Sequence, residues 1–131
     1  MDSIDIETVS IQLGEDGVIV AREKESERHT PATTHRALDA LAEVAGGRRR
    51  PMLWDVRRLS VGGPEARAIF VQRMPESLSA LAVLVDQQID EELQGALEAF
   101  TPIIESLMMP IRVFYDEDAA LGWLRSVVIS E

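Results

Sequence analysis

Asp55 is the residue whose type and setting best suit chemistry. It stands in "MLWDVRRLSVGG" (52–63), at the end of an apolar run. Arg57 and Arg58 follow at once, then Ser60 and a glycine pair, with Arg67 a few residues on. An acid at the carboxyl end of a central strand lies where open α/β sheets place their binding crevices. To catalyse, it needs a second acid, a base or a metal beside it. None follows in the local sequence. The same carboxylate can instead accept N–H bonds from its loop and pair with Arg57, Arg58 or Arg67. The sequence therefore favours Asp55, Arg57, Arg58, Ser60 and Arg67 as a structural or binding loop, and assigns no catalytic residue.

The other reactive types are scattered. There is no cysteine, which excludes disulfides, thiolate zinc sites and thiol catalysis, and fits a reducing cytoplasm. His29 falls in a polar stretch, and His35 falls near the apolar side of a predicted helix as a boundary residue; two such histidines make a poor metal set. Asp116, Glu117 and Asp118, like Glu91 and Glu92, read as acids favouring the positive end of a helix. "VGGPEA" lacks the lysine and spacing of a phosphate loop, and "LSVGG" lacks the flanking pattern of a nucleophile elbow. No metal or cofactor is expected, nor is enzyme activity.

The elements that must position Asp55 are legible in the hydrophobic pattern. "ETVSIQL" alternates Val9, Ile11 and Leu13 with polar residues, "GEDG" (14–17) is a turn, and "VIVAR" (18–22) a second strand; together they predict a β-hairpin. "EKESERH" reads as an exposed loop or strand extension. Thr30 and Pro31 open a helix with Leu38, Leu41, Ala42 and Ala45 inward, closed by Gly46-Gly47. "PMLWDV" has the continuous apolar character of a strand covered on both faces. Gly63-Pro64-Glu65 opens the next helix, with Ala66, Ile69 and Phe70 inward; "LSALAVLV" (78–85) is a buried strand. A long helix follows, and Pro102 within it predicts a kink or break. "IRVFY" (111–115) is the last strand, and Asp116 caps a final helix with Ala120, Leu124, Val127 and Val128 inward. The order β-β-α-β-α-β-α-β-α predicts a mostly parallel five-stranded α/β sheet with an antiparallel N-terminal edge hairpin and about four helices.

Composition bounds the role. Residues 1–131 have the length of one domain, and a hydrophobic content of 46% is that of a globular chain. No apolar run approaches the ~18–20 residues of a membrane span, and the acidic start "MDSIDIETVS" does not read as a signal peptide. A formal charge of −10 opposes binding to nucleic acid or anionic lipid, and the one basic run, Arg48 to Arg50, is short.

"GGRRRPMLWDVR", "EARAIF", "SALAVLV" and "PIRVFYDEDAALGWL" resemble the SpoIIAA-like proteins. These are small stand-alone bacterial domains related to the STAS domains of anti-sigma-factor antagonists, and are also described as STAS/Sec14-like. The resemblance spans roughly residues 16–126 and rests mainly on packing residues, so it implies the fold more than a function. In the antagonists, the loop after this central strand carries a phosphorylatable serine in an Asp-Ser-Ser-Gly-like motif. With Gly63 on the motif glycine, Val61 takes the phosphoacceptor position and Ser60 the aspartate's. The resemblance thus implies that the phosphorylation switch is absent.

The long helix carries Ile89, Leu93, Ala96, Leu97, Phe100, Ile103, Ile104, Leu107 and Met108, a stripe wider than one sheet face requires. The surplus suits a homodimer contact, for which Phe100, Ile103, Leu107 and Met108 are the leading candidates. It also suits an apolar ligand cleft like that of Sec14-type lipid carriers, although so short a chain has little room for the usual ~300–1,000 Å³. The expectation is a cytoplasmic, non-enzymatic domain that regulates by binding a protein partner or itself. Its alternative is a carrier or sensor of a small apolar ligand or lipid.

Overall fold

The computed structural model describes residues 2–130, with side chains as far as Val127. The N-terminal hairpin forms as its alternation predicts. Strands β2 (Val9–Leu13) and β3 (Ile19–Glu23) pair antiparallel, with Leu13 opposite Ile19 and Val9 opposite Glu23. The turn between them closes where Asp16 Oδ1 accepts the Val18 amide at 3.1 Å and Gly17 takes a left-handed φ of 82°. A short strand β1 (Ser3–Asp5) adds to the outer side of β2, so the sheet has six strands among the described residues rather than the five expected. Its three residues are too few to show a period. Ladder bonds hold it, with Ile4 packed on the core as its one apolar anchor.

Four βα units follow in spatial order. Helix α1 (Pro31–Ala45) begins at Thr30, whose Oγ1 accepts the Thr33 amide at 3.2 Å while Thr33 Oγ1 accepts the Thr30 amide at 2.9 Å. It ends at Gly46, whose φ of 67° only glycine adopts without strain. Its buried residues are Thr34, Ala37, Leu38, Ala40, Leu41, Val44 and Ala45; Ala42, expected inward, is exposed, because at ~3.6 residues per turn it lies off the arc that Leu38, Leu41, Val44 and Ala45 share. Strand β4 (Arg50–Asp55) is almost wholly buried and lies parallel to β3 and to β5 (Leu78–Leu84). Helix α2 (Pro64–Arg73) and a 3-10 turn (Met74–Ser77) join β4 to β5. Helix α3 (Glu91–Ser106) leads to β6 (Ile111–Phe114), and α4 (Glu117–Ser130) ends the fold.

Pro102 does not break α3. It sits inside one continuous helix on the exposed face. The Glu98 carbonyl that it cannot bond is on an exposed residue, where water can satisfy it.

The sheet order β1-β2-β3-β4-β5-β6 follows the sequence. Right-handed crossovers that step repeatedly in one direction place α1, α2 and α3 on one face. There they cover the larger core, built on Ile11, Ala21, Met52, Trp54, Leu81 and Val83. Helix α4 alone covers the other face, with Ala120 and Leu124 fully buried against Leu53, Ala82 and Leu84. Val127 packs at its margin. The side chain of Val128 lies outside the described residues.

Candidate functional site

The end of β4 divides its side chains between the two faces. Side chains alternate along a strand, so Trp54 and Val56 join the larger core under α2 and α3 while Asp55 turns toward α4. Asp55 is only 6% exposed, and its two oxygens are fully engaged. Oδ1 accepts the Arg57 amide at 3.1 Å and Arg57 Nε at 2.9 Å; Oδ2 accepts Arg57 Nη2 at 2.8 Å and Arg22 Nη1 at 3.1 Å. Arg22 Nη1 also reaches Glu117 Oε1 at 2.6 Å, which ties β3, β4 and the start of α4 together. Burial pushes the Asp55 carboxyl up, but the hydrogen bonds and charge of Arg57, with Arg22 behind them, hold it below its ordinary value. The bond from Arg22 likewise lowers Glu117. Arg58 is exposed, and Arg67 lies on α2 across the sheet; neither pairs with Asp55. The sequence reading missed Arg22 and Glu117. Arg22 faces Asp55 in register across β3 and β4, a relation that appears only once the strands are aligned.

The loop after β4 is pinned at three successive residues. Ser60 Oγ donates to the Ser26 carbonyl at 2.9 Å. Val61 is buried. A Cβ on Gly62 would come within 2.6 Å of the His29 carbonyl and 2.8 Å of Ala66 Cβ. Only glycine lets the loop lie this close to the chain before α1.

That approach bears on a buried polar pair. His29, expected in an exposed polar stretch, is 4% exposed, and Glu23 is 6% exposed. His29 Nε2 lies 2.8 Å from Glu23 Oε1, and Nδ1 lies 3.1 Å from Thr33 Oγ1. Trp54 Nε1 donates to Glu23 Oε2 at 3.3 Å. The His29 ring stands edge-on to Phe70 with centroids 5.4 Å apart. A signal for Glu23 existed: it continues the inward series Ile19, Ala21 along β3, and an acid at an inward position needs a partner.

On the other side of Trp54 and Phe70, a cavity of about 460 Å³ opens between α2 and α3. Trp54 and Val56 form its floor. Leu59, Val61 and Gly62 close one end. Ala68 and Val71 of α2 face Leu93, Leu97 and Phe100 of α3. The chain therefore does have room for a pocket, against expectation. The space arises because Ala68, Ala96 and Ala99, all with minimal side chains, line the facing sides of the two helices. Among its lining residues only Arg67 is charged.

Residues 12–128 match the domain of unknown function DUF7793. The chain belongs to this family. A similar solved structure is that of an uncharacterized protein of the DUF3478 family from Shewanella loihica PV-4, with a SpoIIAA-like fold. The two share 16% identity with a TM-score of 0.60, over 95% of this chain and 99% of the other. The DUF7793 domain thus has the SpoIIAA-like fold. No curated protein matches the chain.

The four apolar residues singled out for self-association fall into different environments in this DUF7793 domain. Phe100 is 7% exposed and walls the cavity, packing on Trp54 with ring centroids 6.1 Å apart, so it is not available to a second subunit. Ile103 is 42% exposed at the cavity's edge; Leu107 and Met108, at 54% and 90%, project at the end of α3. Met108 takes a left-handed φ of 64° as the chain leaves the helix. His35 is exposed and meets Arg73 Nη1 at 3.0 Å. Among the described residues no group of three acids or histidines is placed to hold a metal, and no helix is long and apolar enough to cross a membrane.

Proposed function

We propose that the domain binds a small apolar ligand between α2 and α3 and acts by binding rather than catalysis. The cavity is the observation that carries this reading. At about 460 Å³ it falls within the ~300–1,000 Å³ of small-molecule sites. Apart from Arg67 and Gln72 its walls are apolar, and covering the apolar part recovers ~25 cal/mol for each Å² taken from water. The strand-end acid supports the non-catalytic part. Asp55 faces away from the cavity with its oxygens held by arginines.

Trp54, in the cavity floor, is a built-in reporter, and Trp123, the other tryptophan, packs with Phe114 on the opposite face. A Trp123→Phe variant therefore isolates the reporter. Decanol titrated into this variant should change the Trp54 emission saturably at micromolar concentration. A flat titration overturns the reading.

Self-association is a second reading, favoured by the exposure of Ile103, Leu107 and Met108. With a net charge of −10 on each subunit, a contact centred on these side chains should tighten as salt screens the repulsion. Sedimentation equilibrium at low and high salt tests it; a monomer under both conditions removes it.

A further inference from the structure

We propose that the cavity's ligand is a single-chain carboxylate amphiphile whose tail fills the space between α2 and α3 and whose head group pairs with Arg67. The inference rests on the apolar-ligand reading above and adds the ligand's chemical class.

Charge distribution is the first argument. The chain carries 23 acids against 13 lysines and arginines, yet no acid lines the cavity and one arginine does. Among the described residues six of the twelve arginines form ion pairs: Arg22 and Arg57 with Asp55, Arg28 with Glu92, Arg36 with Glu7, Arg73 with Asp39 and Arg125 with Asp16; Arg50 bonds the Ala45 carbonyl and Arg112 lies over the Phe114 and Trp123 rings. Arg67 has no side-chain hydrogen bond or ion pair among the described residues, and it is exposed, so it stands at the rim. Its planar guanidinium offers paired N–H donors that match a carboxylate.

The polarity of the interior fixes which way the ligand lies. The indole N–H of Trp54, on the floor, is already given to Glu23. An ionised group held deep among Phe100, Leu97 and Val56 would lose its water without a partner, at heavy cost. A head group must therefore remain at the rim, where Arg67 is. One guanidinium suits one negative charge better than the roughly −1.5 to −2 of a phosphate monoester. The net charge of −10 does not forbid an anion there, because charges farther than the ~8 Å Debye length at physiological salt are largely screened.

Volume sets the number of chains. At ~30 Å³ per water-sized group, the cavity holds on the order of fifteen heavy atoms. That matches one medium-length alkyl tail.

The test compares decanoate, decanol and decyltrimethylammonium by Trp54 emission in the Trp123→Phe background, with and without Arg67→Gln. Arg67 is exposed, so its replacement should leave the fold intact, as a thermal melt verifies. The parent should bind decanoate at least tenfold more tightly than decanol, and the ammonium more weakly than either. Arg67→Gln should abolish the preference for decanoate over decanol. Equal binding of decanoate and decanol, or a preference that survives Arg67→Gln, overturns the carboxylate assignment while the apolar site stands. No binding of any probe overturns both.

Discussion

His29 Nε2 lies 2.8 Å from Glu23 Oε1, with both side chains almost wholly removed from solvent. Five polar residues, Lys24 to Arg28, separate the end of β3 from this histidine, and the pair folds that stretch back against the sheet. The contact fixes more than a loop. Glu23 also receives the Trp54 indole, the His29 ring supports Phe70, and the His29 carbonyl abuts Gly62. Trp54, Phe70 and Gly62 all line the cavity, so the buried pair is the backing of its floor.

Glu23→Ala should therefore cost more than a surface substitution. It leaves the His29 ring and the Trp54 N–H without their acceptor in a buried place, at ~1–3 kcal/mol per orphaned group. His29→Ala should be destabilising too, and the double variant should lose less than the sum of the singles, because the two share one contact. Urea denaturation of the four proteins measures the coupling. Strict additivity would show that the pair does not act as a unit.

Asp55→Asn should weaken folding by ~1–3 kcal/mol at neutral pH. The carboxyls of Asp55 and Glu117 are both lowered in the folded state. Their stabilisation is thus complete above the unfolded carboxylate value, near 4, and is lost as pH falls through the lower folded values. The gap between parent and variant should be full at pH 7 and shrink below about pH 4. Thermal melts across that range decide it; a gap that is constant with pH would mean that the charge of Asp55 contributes nothing.

Two adjacent glycines should respond differently. A Cβ at Gly62 meets the His29 carbonyl at 2.6 Å, while a Cβ at Gly63 has nothing within 4 Å. Gly62→Ala should cost ~1–3 kcal/mol through forced separation of the two segments. Gly63→Ser, at a helix N-cap with φ of −68°, should change stability by no more than a few tenths of a kcal/mol. Chemical denaturation of both variants separates steric contact from a general need for flexibility in the loop.

Much of this architecture was legible along the chain because it is written in local periods. Val9 and Ile11 alternate, Thr30-Pro31 and Gly46 bracket α1, and the apolar runs around Leu53 and Leu81 mark strands buried on both faces. The site was legible only in part. Asp55 was visible as a strand-end acid with Arg57 beside it, but its partner Arg22 depends on register, and Glu117 on the return of α4 across the sheet. The cavity was harder still. A stripe on α3 reads as surplus apolar surface, and only the three-dimensional gap between Ala68 and Ala96–Ala99 turns part of that surface into a concave wall.

The alanines that open the cavity also provide a way to close it. Ala96 lies half-buried on α3 and lines the space directly. In Ala96→Phe the new ring would enter an existing volume of about 460 Å³ rather than a packed core, so the overpacking penalty does not apply. Filling a cavity typically adds ~0.5–2 kcal/mol to stability. The variant should thus melt at a higher temperature than the parent and bind decanol at least tenfold more weakly. That pairing of gain and loss is the mark of a site kept open for an occupant at the expense of packing. A variant that is more stable yet binds decanol as before would place the ligand elsewhere, and one that is destabilised would show that α2 and α3 already close together in solution.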